Sequence, residues 1–235
     1  MKAYRYLLLD ADNTLLDFNR AEETAFYAAF SALGLHADTH TYARYHEIND
    51  ELWRKLERKE VTREKLKVLR FALLFAEMGI VRDGLADEIS ETYFGLLSEQ
   101  RFVLDGAVDV CRTLSEKYPL YIITNGTESA QRSRFSGSGL EPYIRKMYVS
   151  EKIGAEKPSP LFFNHVMADI GETDAARYLV VGDSLTSDID GAIGMGIDAV
   201  WLDQKGSGDT RGRDVSYIIK DIRELPALLD KITKN

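Results

Sequence analysis

Tyr6-Leu7-Leu8-Leu9-Asp10-Ala11-Asp12-Asn13-Thr14 is an apolar run that stops at two carboxylates. Its length and content suit a strand buried on both faces. Such a strand delivers Asp10 to its carboxyl end, the edge where open α/β sheets bind ligands. Residues two apart in an extended chain point the same way, so Asp10 and Asp12 converge on one ligand. Two carboxylates in one place can divide the work, one ionised as nucleophile and metal ligand, the other exchanging a proton. An Asp-x-Asp pair also caps helices and closes turns, so the pair alone decides nothing.

Similar short apolar runs recur at residues 120–123, 146–149, 178–181 and 199–202, with a weaker one at 217–219. Helical-period segments fall between them at 107–118, 128–136, 160–170, 187–195 and 222–232. Strand and helix in alternation predict an α/β fold, a doubly wound Rossmann-like parallel sheet. Residues 17–102 break the rhythm. They contain no proline and carry apolar residues three and four apart: Phe26, Ala29, Phe30 and Leu33, then Ile48, Leu52 and Leu56, then Leu66, Leu69, Leu73 and Leu74. We expect about four helices inserted there as an α-helical cap, with the core domain formed by residues 1–16 and 103–235. Hinges are expected at 16–19 and 101–106. The Gly-rich stretch 204–213 lacks the strand–loop–helix setting of a nucleotide loop and reads as a mobile surface connection.

Three later segments bear on Asp10 and Asp12. In Ile122-Ile123-Thr124-Asn125-Gly126, a hydroxyl and backbone N–H groups at a strand end suit an anion, although Thr and Asn also serve as N-caps. Lys157 lies between Pro158 and the turn Gly154-Ala155-Glu156, in a loop that two prolines stiffen. It is either a phosphate clamp or a solvated lysine. In Val180-Val181-Gly182-Asp183-Ser184-Leu185-Thr186-Ser187-Asp188, Gly182 lets the backbone turn and Asp183 faces the ligand edge. Clustered carboxylates repel unless a proton or a hard cation intervenes, and Mg²⁺ favours one or two carboxylates plus phosphate and water. Asp183 fits as a direct ligand; Asp188 fits as the group that holds waters or Lys157.

The chain has 235 residues, 45% hydrophobic and 29% charged, enough for one large or two unequal units with a buried core. A net charge of −8 argues against nucleic acid or an anionic membrane as the main partner. It leaves room for a small phosphorylated molecule held through Mg²⁺. The single cysteine, Cys111, excludes an internal disulfide and a multi-cysteine zinc site. The apolar run near the start is too short for a signal-peptide core or a membrane span, so a cytoplasmic location is expected. His46 and His165 lie in helical stretches without clustered partners and are not read as metal ligands.

In this order and at these spacings, the four segments resemble the haloacid dehalogenase-like (HAD) superfamily of Mg²⁺-dependent phosphohydrolases with a helical (C1) cap. The resemblance implies that Asp10 is the nucleophile and Asp12 the general acid/base. It assigns phosphate binding to Thr124, Asn125 and Lys157, and metal binding to Asp10, Asp183 and the Asp12 backbone carbonyl. Asp188 is the second acid of the last motif. An acidic residue at position 12 places the chain among the phosphatases, since a departing halide needs no proton whereas a phosphoester's leaving oxygen does. The run Asn49-Asp50-Glu51-Leu52-Trp53, then Arg70-Phe71, is similar to the subgroup that hydrolyses pyrimidine nucleoside 5′-monophosphates. Under that reading Phe18 or Trp53 stacks on a base, Asn49 reads its edge and Arg70 reaches the phosphate. Sugar-phosphate or phosphoglycolate hydrolysis, and a phosphomutase of the same superfamily, are the alternatives.

Overall fold

The computed structural model describes residues 3–233. The chain divides into two compact units, one holding the residues up to Phe18 and those from Arg101 onward, the other Asn19–Gln100. After strand β1 (Tyr6–Leu9) come four helices: α1 (Phe18–Ala32), α2 (Thr39–Glu57), α3 (Arg63–Glu77) and α4 (Leu85–Glu99). Strand and helix then alternate through α5 (Ala107–Ser115), β2 (Leu120–Thr124), α6 (Glu128–Phe135), β3 (Ile144–Val149), α7 (Ser150–Ile153), α8 (Pro160–Ile170), β4 (Tyr178–Gly182), α9 (Asp190–Gly194), β5 (Asp198–Leu202), β6 (Tyr217–Ile219) and α10 (Leu225–Thr233).

The six strands form one sheet in the order β3-β2-β1-β4-β5-β6, with every pairing parallel. β1 therefore lies between β2 and β4, and the winding direction reverses beside it. The crevice at the carboxyl end of β1 is the switch point where such sheets bind ligands. Alternate residues serve opposite cores: Leu7, Leu9, Ile122, Val181 and Val200 pack with α5 and α10, whereas Leu8, Ile123, Val180 and Ala199 pack with Phe162 and Phe163 of α8. Both faces are covered, which is why these strands are apolar at nearly every position rather than at every second one.

The expected strands and helices agree with these to within a few residues, and two differences have physical causes. Asp188 does not start a plain α-helix. Residues Leu185–Ile189 form a π-helical turn, capped by Ser184 through its side-chain oxygen, before α9 begins. Such wide turns recur at functional sites because they re-aim a side chain. The stretch 204–213 is also tied down: buried Asp203 accepts hydrogen bonds from Gly208 N (2.7 Å) and Ser207 Oγ (3.2 Å), and Arg213 Nη2 donates to Asp190 at 2.8 Å.

The helical unit is held by aromatic packing. Phe26 and Phe30 approach to 4.4 Å between ring centroids and Tyr45 and Phe71 to 5.1 Å, within the range of favourable ring pairs. Asp38 and Thr41 form a reciprocal capping box at the start of α2, and Thr62 caps α3. On α3 the buried face is Leu66, Arg70, Phe71, Leu74 and Phe75, while Leu73, expected inside, is exposed. Arg70, rather than Leu73, completes the buried face. Among the described residues no helix is long and apolar enough to cross a membrane.

Candidate active site

Asp10 follows β1 directly, and its N–H donates to Val181 O at 2.8 Å, so the chain leaves the sheet in fixed register with β4. The turn beyond it is closed locally. Asn13 adopts φ 55°, its N–H donates to Leu16 O at 2.7 Å, and the N–H groups of Leu15 and Leu16 both donate to Ala11 O. Asn tolerates this left-handed backbone better than most residues.

Lys157 is buried, 1% exposed, at the centre of the site. Its ammonium donates to Asp10 Oδ1 and Asp188 Oδ1, both at 2.6 Å, and to Ile123 O at 2.9 Å. All three of its N–H groups are thus used. Asn125 grips the backbone of the same residue from both sides: Nδ2 donates to Lys157 O and Oδ1 accepts from Lys157 N, each at 2.9 Å. Asp188 also accepts from Ser184 N at 3.2 Å.

Gly182 also makes room for a neighbouring side chain. It ends β4, and a Cβ there would stand 2.2 Å from Asp188 Oδ2. Only glycine lets that carboxylate lie against the strand end.

Carboxylate oxygens of Asp10, Asp183 and Asp188 lie within 4.8 Å of one another, the one such acidic cluster found among the described residues. Burial, with the charges of Asp188 and Asp12, pushes Asp10 up to about 7, even though Lys157 pulls it down. Asp183 is raised well above the usual carboxylate range by burial and then by Asp10 and Asp188. Burial opposes the charge on Lys157, but Asp10 and Asp188 outweigh it and the net shift is upward. Three carboxylates against one ammonium leave excess negative charge in a poorly solvated place. Their hard oxygen donors fit Mg²⁺, which would relieve that charge.

Asp12 is held on both oxygens, Oδ1 by Arg134 Nη1 and Oδ2 by Gln131 Nε2. Thr124 Oγ1 accepts from Gly126 N at 3.0 Å and from the same Gln131 nitrogen at 2.9 Å. Trp201 Nε1 donates to Asp183 O at 2.8 Å, steadying the backbone of that member of the cluster. Gln131, Arg134 and Trp201 escaped the sequence reading. A buried arginine three residues from a buried glutamine leaves no mark on apolar periodicity. The register that sets Trp201 opposite Gly182 needs the sheet order.

The remaining expected site residues do not join this cluster. Phe18 lies 5.3 Å from the guanidinium carbon of Arg134. Asn49 and Arg70 are each 2% exposed within the helical unit. Asn49 Nδ2 donates to buried Glu22 Oε1 at 2.8 Å and its Oδ1 accepts from Arg70 Nη1 at 3.1 Å. The Arg70 guanidinium sits over Tyr93 and Phe94, 4.6 and 4.8 Å from their ring centres. The Asn49 amide is thus engaged through both its nitrogen and its oxygen inside the unit, while Arg70 Nη2 finds no hydrogen-bond partner among the described residues. Trp53 is half-buried with Arg63 over its ring at 5.8 Å. His46, expected to lack partners, has Glu22 Oε2 at 2.8 Å from Nδ1. Cys111 is buried, and burial pushes its thiol up to about 12, which suits packing rather than nucleophilic attack.

Residues 4–196 match the family model of haloacid dehalogenase-like hydrolases. Among curated proteins, YfnB of Bacillus subtilis, assigned to the HAD hydrolases, is 35% identical over 98% of this chain and 97% of its own length. The pyrimidine 5′-nucleotidase PynA of Streptococcus pneumoniae is 34% identical over 97% of this chain and 96% of its own. The pyrimidine 5′-nucleotidase YjjG of Escherichia coli is 28% identical over 96% and 98%. A magnesium-bound crystal structure of YfnB superposes with a TM-score of 0.91, covering 97% of this chain and 100% of that one. A 2-haloacid dehalogenase from Pseudomonas syringae, 23% identical, shares the fold at a TM-score of 0.67. The fold alone therefore does not separate the two chemistries. The chain belongs to the haloacid dehalogenase-like hydrolases, on the phosphatase side of that family.

Proposed function

We propose that this protein is a Mg²⁺-dependent phosphomonoester hydrolase that works through an aspartyl-phosphate on Asp10 and acts on nucleoside 5′-monophosphates. The observation that carries the chemistry is the Asp10 carboxylate at the switch point of the sheet, 2.6 Å from Lys157 and grouped with Asp183 and Asp188. The nucleotide assignment is supported by the near full-length likeness to PynA and YjjG. In this reading residues 1–16 and 103–235 are the catalytic core and 17–102 the cap.

Asp10, Asp183 and the Asp12 carbonyl would hold the metal, which when bound neutralises phosphate charge and lets an anionic nucleophile approach. The chain's own groups do the rest. Asp10 attacks phosphorus; its new P–O bond forms as the bond to the leaving oxygen breaks. Asp12 gives that oxygen its proton, then takes one from the water that hydrolyses the acyl phosphate. Lys157, Thr124 and the Asn125 N–H stabilise charge on the equatorial oxygens, where positioning and electrostatics supply most of the effect. Asp188 keeps Lys157 charged and aimed.

Phosphate release should be followed across 5′-nucleotides, sugar phosphates and phosphoglycolate. Preference for pyrimidine 5′-monophosphates supports the assignment; preference for a sugar phosphate overturns the substrate while keeping the site. Trp53→Ala tests base stacking: KM should rise for nucleotides more than for a simple phosphate ester, and an equal change on both removes Trp53 from that role.

A further inference from the structure

Arg134 is 2% exposed and among the largest fully buried side chains of the protein. It donates through Nη1 to Asp12 Oδ1, its ion-pair partner, while its Nε and Nη2 find no hydrogen-bond partner among the described residues. Phe18 covers it at 5.3 Å. Gln131, one helical turn earlier on α6 and also 2% exposed, donates through one nitrogen to Asp12 Oδ2 and Thr124 Oγ1. Its side chain crosses Gly126 so closely that a Cβ there would stand 2.3 Å from Nε2. A buried guanidinium with idle N–H groups and one carboxylate partner costs stability, so packing does not account for it. The carboxylate it holds does.

We propose that Arg134 and Gln131 are positioning residues for proton delivery. Together they fix both oxygens of Asp12, so that the carboxyl group meets the leaving oxygen from one defined place. The inference rests on the phosphatase reading above, in which Asp12 is the general acid. Phe18 then serves the site by bracing Arg134.

The test is leaving-group dependence, which a merely structural defect does not create. An alkoxide must be protonated as it departs, whereas p-nitrophenolate leaves unaided. Wild type, Arg134→Met, Gln131→Met, Arg134→Lys and Asp12→Asn are assayed with Mg²⁺ on a nucleoside 5′-monophosphate, a simple alkyl phosphate and p-nitrophenyl phosphate. The quantity read is kcat/KM, which reports steps up to departure of the leaving group. General acid catalysis is worth roughly 10²–10⁴-fold, so losing its aim should cost a sizeable part of that on alkyl esters. The p-nitrophenyl-to-alkyl ratio is expected to rise about tenfold or more in Arg134→Met and Gln131→Met, with partial return in Arg134→Lys. Should Arg134→Met fail to show a cooperative melt, Gln131→Met carries the same comparison. A ratio unchanged from wild type in the folded variants overturns the positioning role. An Asp12→Asn enzyme that hydrolyses alkyl esters as well as wild type overturns the general-acid reading itself, and the positioning role with it.

Discussion

At Gly182 the room for a side chain is already taken by the Asp188 carboxylate, with a would-be Cβ 2.2 Å from Oδ2. Gly182→Ala must push Asp188 off Lys157. Overpacking of this kind costs about 1–3 kcal/mol, and a misplacement near 1 Å can cost about 10²-fold in rate. We expect a lower urea midpoint and a fall in kcat of about tenfold or more; unchanged turnover would mean that the Asp188–Lys157 contact is dispensable. The titration of the same cluster sets a pH dependence. Asp10 is pushed up to about 7 by burial and its acidic neighbours, and Asp183 is raised as well. An unfolded aspartate titrates near about 4. Between those values the folded state holds protons that the unfolded chain has released, so the metal-free protein loses stability as pH rises through the window. Mg²⁺ competes with those protons. Its addition should raise Tm more at about pH 8 than at about pH 5.5, and the opposite order in thermal melts would rule out Asp10 and Asp183 as the coupled groups. Asp10 ends an apolar run, Asp183 follows Gly182 at the end of another and Lys157 precedes a proline, so each carries a local mark; Asp12 and Asp188 were picked out by their spacing from Asp10 and Asp183. Gln131 and Arg134 were not, since nothing local marks a buried arginine.

Elements explain which expectations held. β1, β4 and β5 are apolar at consecutive positions because both sheet faces are covered, and that pattern is visible in sequence. β5 also brings Trp201 beside Gly182, where its indole donates to Asp183 O. Groups that orient a metal ligand are typically worth about 10–100-fold in affinity. Trp201→Phe should therefore raise the Mg²⁺ concentration for half-maximal activity about tenfold, with packing largely kept. No change would show that the strand alone holds Asp183 in place. On α2 and α3 the sequence led to a ligand-facing Asn49 and Arg70, while the fold turns both inward to Glu22 and an aromatic cluster. Period alone cannot distinguish a polar residue facing solvent from one satisfied in a core. Asn49→Ala leaves Glu22 and Arg70 short of a partner, at a cost of about 1–3 kcal/mol. Urea denaturation should register that loss; a large rise in KM with stability intact would instead return Asn49 to the substrate.

The whole molecule joins a doubly wound sheet, with its switch point beside β1, to a four-helix unit inserted straight after that strand. The sheet and the interrupted chain order were readable because strand, helix and insertion differ in period and in their polar stops. The interior of the helical unit was not, because its aromatic pairs and buried Glu22 depend on three-dimensional neighbours. In the proposed reaction a phosphoryl group is carried on Asp10. The most direct measurement is to mix the enzyme with Mg²⁺ and a pyrimidine 5′-monophosphate, quench in acid, and map the phosphorylated peptide by mass. One phosphoryl group on the peptide containing Asp10, absent from Asp10→Asn together with all turnover, is the predicted result. Turnover that survives Asp10→Asn, with no label on that peptide, would contradict the account.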